Sequence, residues 1–241
     1  MYNLSVIIPA FNESERISQT LKSFSTYLQV HHPKHELLVV DDGSTDNTVE
    51  IVQRIAKSAP EIQLIQQAQN KGKGAAIKAG MLAARGRICV FSDADASTPI
   101  TEINKLIAPI LNGSHQIVIG NRYHKDSQID IPQPRYRRIW SRFANQFVQR
   151  ILLPGIVDPN CGFKAFDQQA AVTLFSRSQI NEWSFDLEIL ALAKKMNFSI
   201  AEIPVVWNND ERTKGKLSHI PKEVQNLFRI KRLTQLHYPH Y

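Results

Sequence analysis

Over the first 120 residues, short β-branched runs alternate with stretches of helical periodicity. Strand-like runs fall at 4–9, 36–41, 62–66, 87–92 and 116–120. Ile17, Leu21, Phe24 and Leu28 recur at intervals of four, three and four, which lines one face of a helix. Val49, Val52, Ile55, Ala56 and Ala59 repeat that pattern, with Asp46 as the expected N-cap. A third helix is predicted from about Gly74 to Arg85, and a fourth after Thr98-Pro99, where proline suits a first turn. Strands alternating with crossover helices predict an α/β fold with a mostly parallel sheet, flanked by helices and buried on both faces. Such sheets bind ligands beyond the carboxyl ends of their strands. That is where chemistry is expected.

Composition adds limits. The 241 residues are 43% hydrophobic and 21% charged, enough for one substantial α/β domain. Two cysteines, Cys89 and Cys161, make no disulfide framework, so reduced thiols and a cytoplasmic setting are expected. No apolar run reaches 18 residues, and the start shows no signal-peptide pattern. His31-His32-Pro33-Lys34-His35 and His237-Tyr238-Pro239-His240 read as a solvated loop and tail, because proline breaks the spacing that would pair the imidazoles.

The net charge of +7 is concentrated. Residues 121–150 carry +5 and residues 212–232 carry +6, so the remaining chain is at −4. Such segments suit a polyanion: nucleic acid, an anionic membrane surface or a phosphorylated substrate. Each also has an apolar stripe. Ile139, Phe143, Phe147 and Ile151 recur every fourth residue, joined by Trp140, Val148 and Leu152, within a helix expected at about 135–152. Val224, Leu227, Phe228, Leu233 and Leu236 are surrounded by Lys222, Arg229, Lys231 and Arg232. The expected organisation is therefore a catalytic-type domain over 1–217 and a basic amphipathic helix over 218–241. Basic amphipathic helices with aromatic residues suit a bilayer interface, where each basic group near anionic lipid contributes about 1 kcal/mol.

Acidic groups cluster at the ends of the predicted strands. The first ends in Pro9-Ala10-Phe11-Asn12-Glu13, the second in Asp41-Asp42-Gly43-Ser44 and the fourth in Asp93-Ala94-Asp95. Asp-x-Asp leaving a buried strand places two hard oxygen donors near one point, which suits Mg²⁺ or Mn²⁺ shared with substrate phosphates. Asn70-Lys71-Gly72-Lys73-Gly74 puts glycines and lysines at a helix start, where backbone N–H groups and Lys73 can meet phosphate oxygens.

Ser5–Glu13, Val39–Asp46, Asn70–Gly74 and Asp93-Ala94-Asp95 together closely resemble the family 2 glycosyltransferases of GT-A fold, with their Rossmann-like sheet. Gly120-Asn-Arg122, Asp158-Pro-Asn-Cys-Gly-Phe-Lys164, Trp183-Ser-Phe-Asp-Leu-Glu188, Ala201-Glu-Ile-Pro204 and Gly215-Lys-Leu217 resemble the polyprenyl-phosphate sugar transferases. Among these, Cys161–Lys164 and Trp183–Glu188 are most similar to the dolichyl-phosphate β-glucosyltransferases, with the dolichyl-phosphate mannose synthases as near relatives.

The resemblance implies that Pro9, Ala10, Phe11 and Glu13 line the nucleoside pocket, that Asp41 or Asp42 reaches the base or ribose, and that Lys73 and Ala94 lie along the donor. It implies that Asp93 and Asp95 hold a divalent metal and the diphosphate. The mannose synthases carry a metal-contacting Gln where this chain has Ser97. On the acceptor side, Arg122 follows the fifth strand and is expected at the lipid phosphate, Arg137 and Ser141 match mannose-synthase positions that grip it, and Arg212 and Lys216 match, with one residue fewer between them, a late basic pair that closes over the phosphates. Asp186 and Glu188 match the family motif; two residues apart on a helix they do not share a face, so one is expected to orient substrate and the other to be structural. The implied reaction is metal-dependent, inverting hexose transfer, with UDP-glucose favoured as donor and a polyprenyl phosphate as acceptor. Attachment to the cytoplasmic face of a membrane is expected to be peripheral, without the N-terminal anchor of eukaryotic relatives. GDP-mannose or UDP-GlcNAc as donor, and a saccharide acceptor, stay open. A non-catalytic polyanion-binding protein is the rival of another class; carboxylates clustered at strand ends would repel nucleic acid, which is not expected as a partner.

Overall fold

Leu4–Ala10 (β1), His35–Asp41 (β2) and Ile88–Ser92 (β4) are buried along almost their whole length, as strands covered on both faces must be. The computed structural model describes residues 2–131, 145–209 and 220–236. With Ile62–Gln66 (β3), Ile117–Asn121 (β5), Phe163–Asp167 (β7) and Ile200–Pro204 (β8), these strands form a seven-stranded sheet of order β3-β2-β1-β4-β7-β5-β8. All neighbours run parallel except β7, which is antiparallel to both β4 and β5. The five runs expected from the sequence are β1 to β5. The antiparallel β7 was not legible in the hydrophobic pattern.

Side-chain alternation splits the core into two layers. Val6, Ile8, Leu37 and Val39 face helices Ile17–His31 (α1), Thr48–Ala56 (α2) and Ile103–Leu111 (α4). Ile7, Leu38, Val40 and Phe91 face Lys73–Ala83 (α3), Gln168–Arg177 (α6) and Phe185–Lys195 (α7). Ile17, Leu21, Phe24 and Leu28 are fully buried, so the apolar face expected of α1 is the face that packs.

Three local readings change. Asp46 acts just before the cap it was expected to be. Asn47 holds the N-cap position of α2, while Asp46 accepts from the Thr48 N–H at 3.0 Å and the Ser14 N–H at 3.1 Å. Its carboxylate thereby ties the helix start to the loop after β1. His35 is not solvated: it opens β2, is 4% exposed, and its Nδ1 lies 2.8 Å from the His32 carbonyl.

The third change concerns the apolar stripes. Ile220–Leu236 forms a helix (α8), and Leu227 and Ile230 are buried in the same core layer as α7. Part of the stripe therefore packs on the domain, while Phe228 is 55% exposed. In the helical residues 145–151 (α5), Val148 turns inward and Phe147 outward. A short parallel pair, Gln128–Ile131 (β6) with Val206–Asn208 (β9), lies outside the main sheet.

Candidate active site

Register brings the acidic strand ends together. Ala10 pairs with Asp41, and Ser92 pairs with Phe163 across the antiparallel step. The carboxyl ends of β1, β2 and β4 and the amino end of β7 thus meet at one edge.

The loop after β1 is laced to the loop after β2. The Asn12 N–H donates to Ser44 Oγ at 2.9 Å, the Thr45 N–H to Asn12 Oδ1 at 2.8 Å, and the Glu13 N–H to Thr48 Oγ1 at 2.8 Å. Pro9 and Phe11 are half-buried and Ala10 is buried. The Glu13 carboxylate is held by Arg16, whose charge also draws the Asp95 pKa down against the larger effect of burial.

Asp41 and Asp42 separate into different tasks. Asp42 gives one oxygen to the Lys71 N–H and the other to the Gly72 N–H, both at 2.8 Å. Burial and the Asp41 charge raise its pKa, against those two backbone bonds. It is a clamp on the loop before α3. Asp41 Oδ2 accepts from the Gly43 and Ser44 N–H groups at 3.1 Å. Among the described residues its buried Oδ1 has no hydrogen-bond partner, and neither has Oε1 of Gln67, whose N–H donates to the Asp41 carbonyl. Buried acceptors without a donor are costly, so this strand end is shaped for an N–H or O–H that the described residues do not supply.

The Asp42 clamp sets the start of α3. Gly72 has φ of 104°, and a Cβ there would lie 2.5 Å from the Asn181 carbonyl oxygen. Only glycine fits. The next residue, Lys73, was expected to face phosphates; its Nζ lies 2.6 Å from Asp93 Oδ1 and 4.8 Å from the Trp183 ring centroid. Burial alone would lower its pKa, but Asp93, Asp186 and Asp95 outweigh burial and raise it.

Asp93 rests against the turn before β7, where a Cβ on Gly162 would come 2.0 Å from Asp93 Oδ2. The loop that follows is fixed by Thr20 Oγ1 donating to the Ala94 carbonyl at 2.7 Å, and by the Asn208 N–H donating to the Ser97 carbonyl at 2.7 Å. Asp95 Oδ1 accepts from the Ser97 N–H at 2.9 Å. Burial and then the Asp93 charge raise the Asp95 pKa. Two mutually repelling carboxylates at a strand end fit a hard divalent cation, which would remove the repulsion and needs only one or two protein oxygens when a diphosphate supplies others. Among the described residues, no group of three or more His, Cys, Asp or Glu side chains gathers as a cage. The fit therefore rests on the Asp93–Asp95 pair.

Asp186 and Glu188 point to different surroundings. Asp186 is 4% exposed, with Oδ1 2.5 Å from Lys164 Nζ. Burial raises its pKa, while Lys164 and Lys73 draw it down. Glu188 accepts from the Gln179 and Ile180 N–H groups at 2.9–3.0 Å and so holds the turn between α6 and α7. Asp186 belongs to the charged cluster and Glu188 to the scaffold.

Arg122, expected at an acceptor phosphate, is committed elsewhere. Its Nε and Nη2 donate to the two oxygens of fully buried Asp158 at 2.8 Å, and its backbone N–H donates there at 2.9 Å. Glu202 receives the Asp158 and Val157 N–H groups at 2.9 Å. The Arg122 side chain thus braces the turn leading to Gly162. Arg137, Ser141, Arg212 and Lys216 lie outside the described residues. Lys164, Gly162 and Gln67 are site residues to which the sequence assigned no role. The first two sit in a quoted motif, but nothing in the sequence marks Gln67.

A family model described as "Glycosyl transferase family 2" matches residues 5–175. The chain is 35% identical over 233 residues to a dolichyl-phosphate beta-glucosyltransferase of Trichomonas vaginalis, covering 93% of this chain and 69% of that protein. It is 36% identical over 222 residues to the Dictyostelium discoideum protein of the same description, covering 88% and 68%. The Homo sapiens one is 32% identical over 225 residues, with 88% and 69% covered. Glucosyl-3-phosphoglycerate synthase from Mycobacterium tuberculosis, solved with Mn²⁺, UDP-glucose and phosphoglyceric acid, superposes with a TM-score of 0.72 at 21% identity. That match covers 99% of this chain and 81% of that one, and the shared fold is of GT-A type. With the motifs gathered at one sheet edge and this extent of match, the chain belongs to glycosyl transferase family 2 and is a nucleotide-sugar-dependent glycosyltransferase.

Proposed function

We propose that the chain transfers glucose from UDP-glucose to a polyprenyl phosphate of the dolichyl type, with inversion and with Mg²⁺ or Mn²⁺. The observation that carries this reading is the cluster of Asp93, Asp95, Lys73 and Asp186 at the same sheet edge as Asp41, whose Oδ1 has no partner among the described residues. A uracil ring offers one N–H, which matches the one free oxygen of Asp41 better than the paired donors of guanine do. Asp93 and Asp95 would hold the metal, which stabilises the charge that develops on a departing diphosphate.

The acceptor needs no general base, because a phosphomonoester is already anionic near neutral pH. One of its oxygens forms the bond to the anomeric carbon as the bond to the diphosphate breaks, and the electron pair leaves with UDP. UDP-glucose is α-linked and the relatives are described as beta-glucosyltransferases, which supports inversion by direct displacement. Arg137, Ser141, Arg212 and Lys216 are assigned to the lipid phosphate, with Arg122 as a brace. Among the described residues no helix is long and apolar enough to cross a membrane. Exposed Phe147 and Phe228, at 47% and 55%, lie in the two basic segments and support peripheral contact with a bilayer.

The test is transfer of labelled sugar to a short polyprenyl phosphate in the presence of Mn²⁺, comparing UDP-glucose, GDP-mannose and UDP-GlcNAc. Lipid-linked product from UDP-glucose is expected. Product from GDP-mannose or UDP-GlcNAc alone overturns the donor assignment, and no product from any donor overturns the function.

A further inference from the structure

The charged cluster holds more than a metal site requires. Lys73 Nζ is bonded to Asp93 Oδ1 at 2.6 Å, and the other Asp93 oxygen packs against the Gly162 backbone. The backbone just before Lys73 is held by the Asp42 clamp on Gly72 and by the close approach of Gly72 to Asn181, and the Lys73 side chain reaches from there to Asp93. Asp186 is within electrostatic reach of Lys73 and bonded to Lys164, which is 1% exposed and is also anchored on the Cys161 carbonyl. Three carboxylates and two ammonium groups therefore share this space, with a formal charge of about −1 when all are ionised.

We propose that Lys73 is the resident counter-cation of Asp93, that a divalent cation must displace its ammonium to engage that carboxylate, and that Asp186, pinned by Lys164, retains the displaced ammonium in the site. This rests on the metal-dependent reading above. A cation that binds Asp93 and Asp95 while the ammonium stays on Asp93 meets its repulsion at close range. Once the ammonium moves to Asp186, the five groups and the metal carry about +1, which suits an incoming diphosphate. Metal alone is then bound weakly and metal with nucleotide strongly. Lys73 and Asp186 act as positioning residues for that exchange.

Mn²⁺ binding, followed by the loss of the free-ion electron paramagnetic resonance signal, tests this without turnover. Without nucleotide, Lys73→Gln should bind Mn²⁺ about tenfold more tightly than the unaltered protein, since a competing charge is gone. Adding UDP should strengthen Mn²⁺ binding less in the variant than in the parent. A lysine with a merely structural role would loosen the site and weaken Mn²⁺ binding on removal. Equal or weaker binding by Lys73→Gln overturns the proposal while leaving metal dependence intact, provided the parent binds Mn²⁺ with UDP.

Absence of Mn²⁺ binding with and without UDP overturns both this proposal and the metal-dependent function.

Discussion

Replacing Lys164 by methionine isolates the buried half of the charged cluster. The Lys164 and Asp186 side chains are 1% and 5% exposed, and their ion pair is 2.5 Å long. Removing one partner of such a pair costs about 3–5 kcal/mol, because the other charge is left in a low-dielectric interior. Two features place this case at the lower end. Lys73 also draws on Asp186, and burial already raises the Asp186 pKa, so protonation offers an escape. Lys164→Met should therefore cost about 3 kcal/mol near neutral pH, a fall in Tm of about 6–12 °C for a chain of this size.

The sign of the pH dependence follows. Without Lys164 the folded Asp186 binds its proton more tightly than the unfolded chain does. The deficit is thus largest at neutral pH and shrinks as the pH falls toward the ordinary carboxylate value. Lys164→Met/Asp186→Leu removes both charges and should recover much of the loss. Thermal and urea unfolding of the two variants across pH 5–8 measures this. A single variant that loses less than about 1 kcal/mol, or a double variant as unstable as the single, would show that the pair is not an isolated buried interaction.

Asp95→Ala should lower transfer by at least about a hundredfold with the circular dichroism spectrum unchanged; full activity would sink the metal assignment. Gly162→Ala puts a methyl group only 2.0 Å from Asp93 Oδ2, so one of the two must shift. Such a displacement at the site should cost about a hundredfold in transfer, and wild-type kinetics would show that the Asp93 position is not used. Asp41→Asn keeps an acceptor for the Gly43 and Ser44 N–H groups but turns an NH₂ toward the base. KM for UDP-glucose should rise about tenfold with little change in kcat, and an unaltered KM would remove Asp41 from nucleoside recognition.

The hydrophobic period was sufficient for β1 to β5 and the helices between them, because each element there follows its neighbour in sequence and buries a simple repeating face. It was insufficient for β7. Phe163–Asp167 enters between β4 and β5 against the local strand direction, and it contains Lys164, a charge whose burial depends on Asp186, 22 residues away. Arg122 shows the same limit. Its position after β5 and its charge fit a phosphate ligand equally well, and only the chain's return through Asp158, 36 residues later, gives it a buried partner.

The stripe of α8 was legible as an apolar face, but not what the face would meet. Leu227 and Ile230 are buried with α7, and Phe228 is left outside.

The sequence by itself determined the strand-and-helix alternation, the family motifs and the clustering of carboxylates at strand ends, since all of these are local properties of the chain. Tertiary structure decided which carboxylates are occupied. Asp42 is spent on backbone N–H groups and Asp41 keeps a free oxygen; Asp93 is held by Lys73, and Glu188 by a turn. Such partners lie in segments far apart in the sequence, and the energy of a buried charge depends on what the fold places within a few ångströms of it.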